Sequence, residues 1–132
     1  MRRVPGAWLQ GRAVIITIPF AVRPAPRIGG GKSVRRYLPQ WYQEQREYLT
    51  LLFMSKFSAA DAPVYIHIVV SQKGVGRGDT DNIAKPVLDA LQRAHVIPND
   101  SLKHVRRLLI EGRVKQASEY TIVAVSTEWE AA

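Results

Sequence analysis

The residues best suited to chemistry are concentrated in one stretch of the chain, Gly78–Ser101. Asp79 and Asp81 are two positions apart, so in an extended chain both carboxylates point to the same side, with Cα atoms about 6.6 Å apart. Two negative charges at this separation repel each other, and a divalent cation between them relieves the repulsion most simply. Because Mg²⁺ and Mn²⁺ prefer carboxylate oxygens and water as ligands, the pair predicts a metal site.

A helical pattern begins directly after these aspartates. Asp81 or Asn82 is a suitable N-cap, and the apolar residues that follow recur at three- and four-residue steps. These apolar residues are Ile83, Val87, Leu88, Leu91 and Ala94. Because Pro86 is tolerated only near a helix start, the helix should begin close to Asn82. Lys85 then lies one turn after Asp81, beside a helix N-terminus that favours anions, and this combination suits a phosphodiester substrate.

A third acid, Asp100, follows the predicted helix. A helix from Asn82 to Ala94 is about 20 Å long, and the connection from His95 to Asp100 spans about 20 Å when it is extended. The chain is therefore long enough to return Asp100 to the first two aspartates, although the spacing alone does not require that arrangement.

The spacing of these residues resembles the motif of the RusA family of Holliday junction resolvases, which are crossover junction endodeoxyribonucleases. The family pattern is D-x-D-N-x-x-K, an L-[LF]-D-A-L-like helix, and a hydrophobic turn that ends in D-D or N-D before a strand. The chain has DTDNIAK at 79–85, LDAL at 88–91 and VIPND at 96–100. It departs from the pattern at Gly78, where some members have a basic residue, and at Asn99, where many members have an acid.

The resemblance implies a role for each matched residue. Asp79, Asp81 and Asp100 would be metal-binding catalytic acids, with Mg²⁺ or Mn²⁺ as the cofactor, and Lys85 would be an essential catalytic cation. The implied activity is hydrolysis of four-way (Holliday) DNA junctions by paired symmetrical cuts that leave 5′-phosphate and 3′-hydroxyl ends. Because two opposed strands must be cut, a two-fold homodimer with two active sites is expected. The resemblance also implies a bacterial or phage-derived protein.

The charge of the chain favours a nucleic-acid partner. The formal net charge is +8, and residues 1–43 contain eight Arg or Lys and no acid. Such an excess is typical of proteins that bind a polyanion. We expect DNA contacts from the Pro/Arg/Gly-rich segment near the N-terminus and from the loop before Asp79, although a solvated basic linker would have the same composition. The predicted contact residues are Arg23, Arg27, Lys32, Arg35, Arg36, Lys73 and Arg77.

Length and composition predict one domain, a RusA-like endonuclease domain that spans residues 1–132. The chain has no cysteine, which argues against disulfides and against a thiolate metal site. No apolar run approaches the ~20 residues of a membrane span, and the first ten residues lack an apolar signal core. We therefore expect a cytoplasmic protein without a membrane partner.

Other interpretations of the acidic motif fit its residues less well. An EF-hand is excluded because Ile83 occupies a ligand position and Ala90 stands where a bidentate Glu is required. The sequence GVGRG at 74–78 lacks the spacing of a phosphate-binding loop. Two functional alternatives stay open: a metal-dependent nuclease that acts on other branched or linear nucleic acids, and a non-catalytic junction-binding protein. The second has no use for clustered aspartates, which weaken the binding of phosphate.

Hydrophobic patterning predicts the fold. Strands are expected at 14–18, 64–70, 104–110 and 120–126. Helices are expected at 39–57 and in the acidic motif. The order β-α-β-α-β-β predicts a two-layer α+β domain with a mixed sheet covered by two helices on one face, and with a hairpin between the last two strands. The apolar stripe of the first helix is predicted as Trp41, Gln45, Tyr48, Leu49, Leu52 and Phe53. His67 is expected in the core.

Overall fold

The computed structural model of the protein describes residues 13–26, 38–76 and 80–127. The side chains of Thr80 and Asp81 lie outside this description. Within the described ranges, helices and strands follow one another in the predicted order. They are β1 (Val14–Ile18), α1 (Gln40–Lys56), β2 (Val64–Ser71), α2 (Thr80–Arg93), β3 (Val105–Arg113) and β4 (Tyr120–Ser126).

The strands form one mixed sheet in the order β1-β4-β2-β3. β2 and β3 are parallel, whereas β4 is antiparallel to both of its neighbours. The mixed sheet is confirmed, but the predicted hairpin between β3 and β4 is wrong, because β4 inserts between β1 and β2. Burial explains this order: β4 buries residues on both of its faces, which suits a central strand, whereas the mostly exposed and charged β3 suits an edge.

Both helices pack on the same face of the sheet. The strand residues in the core occupy alternate positions, so their side chains all point to one side. The core includes Ile16, Ile18, Ile66, Ile68, Val123 and Val125 from the sheet, Leu49 and Phe53 from α1, and Val87 and Leu91 from α2. This arrangement confirms the predicted two-layer α+β class, because one layer of helices covers one layer of strands.

Two predictions about burial are corrected. The residues that α1 buries are Tyr42, Gln45, Leu49 and Phe53, so the buried face is rotated from the predicted stripe. Trp41 is only half-buried, and Tyr48 is 42 % exposed. His67 is half-exposed on the face of the sheet opposite the helices, where its Nε2 lies 3.6 Å from the carboxylate of Glu111. A continuous apolar run does not indicate which face of a strand meets the helices, and this explains the error at His67.

Three strands end at one edge of the sheet, which we call the carboxyl end. β1, β2 and β3 all run toward it, since β4 is antiparallel to β1 and β2. Both helices begin there: the backbone N–H of Ala25 donates to the carbonyl of Asn82 in α2, and Gln45 of α1 bonds the backbone of Arg23. The positive ends of two helix dipoles therefore lie at the carboxyl end, which favours an anionic ligand.

Candidate active site at the carboxyl end

The loop that leads to the acidic motif leaves the carboxyl end after β2, and the connection between β3 and β4 holds its first half. The N–H of Gln72 donates to Arg113 O at 2.8 Å, and Gln72 O accepts the N–H of Gln116 at 2.9 Å. Gly74 O accepts the N–H of Lys115 at 2.8 Å. The N–H of Lys73 donates to the carboxylate of Glu119 at 3.0 Å. These four hydrogen bonds hold residues 72–74, which lie a few positions before Asp79 in the chain.

A second contact holds the start of α2. The helix begins at Thr80, two residues earlier than predicted, so Pro86 lies in its second turn. Because proline has no N–H, the carbonyl four residues earlier, that of Asn82, lacks its usual helical donor. The N–H of Ala25 supplies the missing bond at 3.1 Å. Pro86 thus leaves a carbonyl beside Asp81 free to bind the segment that follows β1.

The same segment is bound to α1 through Gln45. The Gln45 side chain, which is 8 % exposed, accepts the N–H of Arg23 at 2.9 Å and donates to Arg23 O at 3.0 Å. The Arg23 guanidinium then lies over the Trp41 ring, 3.7 Å from the ring centroid. This distance is typical of a cation–π contact. Arg23 and Ala25 are therefore held between the first two turns of α1 and the first turn of α2.

The structure describes some of the predicted catalytic residues at the carboxyl end and leaves others outside the described ranges. Asp81 lies in the first turn of α2, and Lys85 follows one turn later with an exposed side chain. Asp79 lies outside the described residues. The described part of the chain therefore contains the helix start on which the motif depends, and its position at the carboxyl end is the one expected for binding a phosphodiester.

Asp100 lies at the opposite end of the sheet. The turn that contains it packs beside the residues before β2, where the N–H of Ala60 donates to Val96 O and the N–H of Val64 donates to His104 O. α2 has 14 residues and is about 21 Å long, so it separates this turn from the first turn of α2. Within one chain, the connection after α2 leads directly into β3, which begins beside the start of β2. It therefore does not return Asp100 to the acidic motif.

The donor chemistry of the candidate acids fits a hard divalent cation, because Asp79, Asp81 and Asp100 offer only carboxylate oxygens. Among the side chains that the structure describes, no three His, Asp or Glu residues are grouped to hold a metal. This finding follows from the positions of the acids, since Asp100 is remote from α2's first turn and the other two side chains lie outside the description.

Two of the predicted DNA-binding residues are described, and both lie at the carboxyl end. Arg23 covers Trp41, and Lys73 extends from the loop that leads to Asp79. The others, Arg27, Lys32, Arg35, Arg36 and Arg77, lie outside the described residues. Trp41, which was predicted to belong to the apolar stripe of α1, instead contacts Arg23 at this end of the sheet. The sequence offers a signal for this contact, because Trp41 follows Pro39 closely and Arg23 directly precedes Pro24.

The two helices also meet at a buried tyrosine. The Tyr42 hydroxyl of α1 makes no hydrogen bond of ordinary geometry among the described residues, although it lies close to Asp89 of α2. Burial raises the pKa of Tyr42, and the negative charge of Asp89 raises it further. Asp89 is thus a neighbour of this phenol across the interface between the two helices.

The raised pKa of Tyr42 predicts a loss of stability at high pH. Above pH 10.0, the ordinary pKa of tyrosine, the unfolded chain loses the phenol proton while the folded chain retains it. The free energy of unfolding therefore falls as pH rises through this range, by up to about 1.4 kcal/mol per pH unit. Tyr42→Phe should make that slope shallower in urea unfolding between pH 9 and 11. Tyr48→Phe is the matched control for loss of a hydroxyl, and equal slopes for wild type and Tyr42→Phe would contradict the prediction.

Comparison with known proteins assigns this site to a class. The family described as Endodeoxyribonuclease RusA matches residues 19–126, which is most of the chain and includes every described helix and strand except β1. The fold and the motif therefore belong to a DNA-cleaving hydrolase. The chain is a member of the RusA endodeoxyribonuclease family, and membership supports binding of DNA junctions. No curated protein sequence matches the chain. None of the described helices has the length and apolar character needed to cross a membrane.

Proposed function

We propose that this protein is a Mg²⁺- or Mn²⁺-dependent endonuclease that resolves four-way DNA junctions by paired symmetrical cuts. One observation supports the proposal above the others: the D-x-D-N-x-x-K motif opens α2 at the carboxyl end, in a chain whose family is that of RusA endodeoxyribonucleases. A helix N-terminus, a cation and adjacent carboxylates suit a phosphodiester that is held and then hydrolysed.

Each residue of the motif has its own role. Asp79 and Asp81 would hold the divalent cation, which would supply Lewis-acid activation of the phosphate and of water. The first turn of α2 binds a phosphate oxygen through its free N–H groups. Lys85, exposed one turn later, stabilises the negative charge that develops on the phosphate or orients the attacking water.

Asp100 joins the site from a second protomer in this proposal. Its turn lies at the far end of α2 within one chain, so a cis arrangement of the three acids requires a large rearrangement. A two-fold homodimer that places the opposite end of one sheet against the carboxyl end of the other brings Asp100 to the partner's acidic motif. The dimer then has two equivalent sites, one for each of the opposed strands that must be cut.

Cleavage of a synthetic mobile four-way junction tests the proposal, with a linear duplex of the same sequence as the control and with Mg²⁺, Mn²⁺ or EDTA. We expect paired nicks at symmetrical positions in the junction only, and their loss in EDTA. Equal cutting of both DNAs would overturn junction specificity and favour a general metal-dependent nuclease. Tight junction binding without cutting would favour the non-catalytic protein.

A further inference from the structure

A cavity opens at the carboxyl end beside the acidic motif, and no catalytic role accounts for it. Its volume is about 270 Å³. The lining residues are Ala21, Val22, Arg23, Pro24, Ala25, Pro26, Trp41 and Gln72. Cavities that hold drug-sized ligands usually exceed ~300 Å³, so this one suits a smaller group.

The walls of the cavity are fixed before any ligand binds. The N–H of Val22 donates to the hydroxyl of Thr121 at 2.9 Å, and this hydroxyl donates to Phe20 O at 2.9 Å. Gln45 and Asn82 hold the next residues through the backbone bonds of Arg23 and Ala25 described above. A preformed wall reduces the ordering cost of binding, which is the usual requirement for a specific subsite.

The lining combines three kinds of group that are suited to one ligand. The Trp41 ring and the proline rings are apolar and flat, the Arg23 guanidinium is a planar cation, and Gln72, which is 8 % exposed and has contacts within the protein, adds a side-chain amide to the wall. Aromatic rings and guanidinium planes are the surfaces on which proteins stack single nucleobases. Side-chain amides are among the groups that recognise base edges.

The cavity lies next to the chemistry. Ala25 in its wall bonds Asn82, the residue after Asp81, and Gln72 in its wall begins the loop that leads to Asp79. A nucleotide whose phosphate lies at the first turn of α2 therefore has its neighbouring base within reach of this cavity. A phosphate alone would not cover the apolar walls of the cavity. A base would cover them, and Arg23 would then lie near the DNA backbone beside that base.

We propose that this cavity binds one unstacked nucleobase of the DNA substrate, beside the phosphate that is cut, and that Trp41 and Gln72 thereby set the sequence preference of cleavage. The inference rests on the proposed function, because it needs DNA at the acidic motif. A junction suits such a site, since bases at its crossover are more easily unpaired and unstacked than those of a continuous duplex.

Photo-crosslinking tests the contact directly. Junctions carry 5-iodouracil at single positions on either side of the cleaved phosphate, and Asp81→Asn protein is used so that the DNA stays intact. We expect a crosslink to Trp41, identified by mass spectrometry, from one position only. Junction binding is measured in the same samples by gel shift. Binding without a crosslink to Trp41 from any position would overturn the cavity proposal and leave the proposed function standing, whereas absence of junction binding would overturn both.

Cleavage profiles provide the second measurement, on junctions that can branch-migrate through all base combinations. Trp41→Leu should reduce cleavage at preferred sites by roughly 5- to 150-fold, the range that loss of one base–aromatic stack gives, and should flatten the preference among sites. Trp41→Phe should restore part of both, because it keeps a ring. Gln72→Met should change which sites are preferred with less effect on total cleavage.

Tyr48→Leu is the matched control, since it removes an exposed aromatic from the same helix away from the cavity. Its site profile should equal that of the wild type. Unchanged profiles for both Trp41→Leu and Gln72→Met would overturn the proposal. So would a Trp41→Leu protein that loses thermal stability but keeps the wild-type profile, because that result would mean that Trp41 supports the fold and not the choice of cleavage site.

Discussion

Replacing Asp81 with Asn abolishes junction cleavage but not junction binding, and this is the largest effect that we expect from a single substitution. The amide keeps the size of the side chain, and Asn and Asp have similar helix propensities, so α2 should still form with the substituted residue in its first turn. It removes the anionic ligand for the cation, and the rate should fall by at least about 100-fold. Affinity should be unchanged or up to about fivefold tighter, because a negative charge that repels the DNA backbone is lost.

Single-turnover cleavage and gel shift on the same junction separate the two quantities. Glu47→Gln is the control, because it neutralises an exposed acid on α1 that lies outside the motif. It should cleave at the wild-type rate. If Asp81→Asn lost binding together with cleavage, Asp81 would have a structural role, and its assignment as a metal ligand would be wrong.

Mixing two inactive variants restores cleavage if the acids of each site come from two protomers. In a heterodimer of Asp81→Asn and Asp100→Asn, one site contains both substitutions and the other contains neither. The heterodimer should therefore nick one strand of each junction at about half the rate of strand cutting by the wild type, which has two sites. Each variant alone should be inactive. If the three acids were contributed in cis, both sites of the heterodimer would contain one defect and nothing would be cut.

Two purification tags allow the heterodimer to be isolated after co-expression. The matched control is a heterodimer of Asp79→Asn and Asp81→Asn, whose substitutions lie in the same motif. Each of its sites contains one defect whether the acids are shared or not, so it should stay inactive. Recovery of activity in both heterodimers would mean that Asp79 and Asp81 do not act together in one site, and it would refute the shared-site arrangement.

The sequence by itself determined the elements and the chemistry of the motif. The β-branched runs at 14–18 and 120–126 became strands with those bounds, because period and side-chain shape are local properties. The acidic motif is equally local, since Asp79, Asp81 and Lys85 lie within seven positions of the chain. Spacing alone predicted that Asp81 and Lys85 lie near the start of a helix, and the bounds of α2 confirm it.

The tertiary structure decided what depends on distant partners. No local pattern shows that β4 inserts between β1 and β2, because that position is selected by burial of the whole sheet. Nor does spacing place Asp100: the chain was long enough to return it to the motif, yet parallel pairing of β3 with β2 keeps its turn at the opposite end. The hydrogen bond from Ala25 to Asn82 also depends on the tertiary structure. Pro86 leaves the Asn82 carbonyl without a helical donor, and only the fold brings the N–H of Ala25 to it.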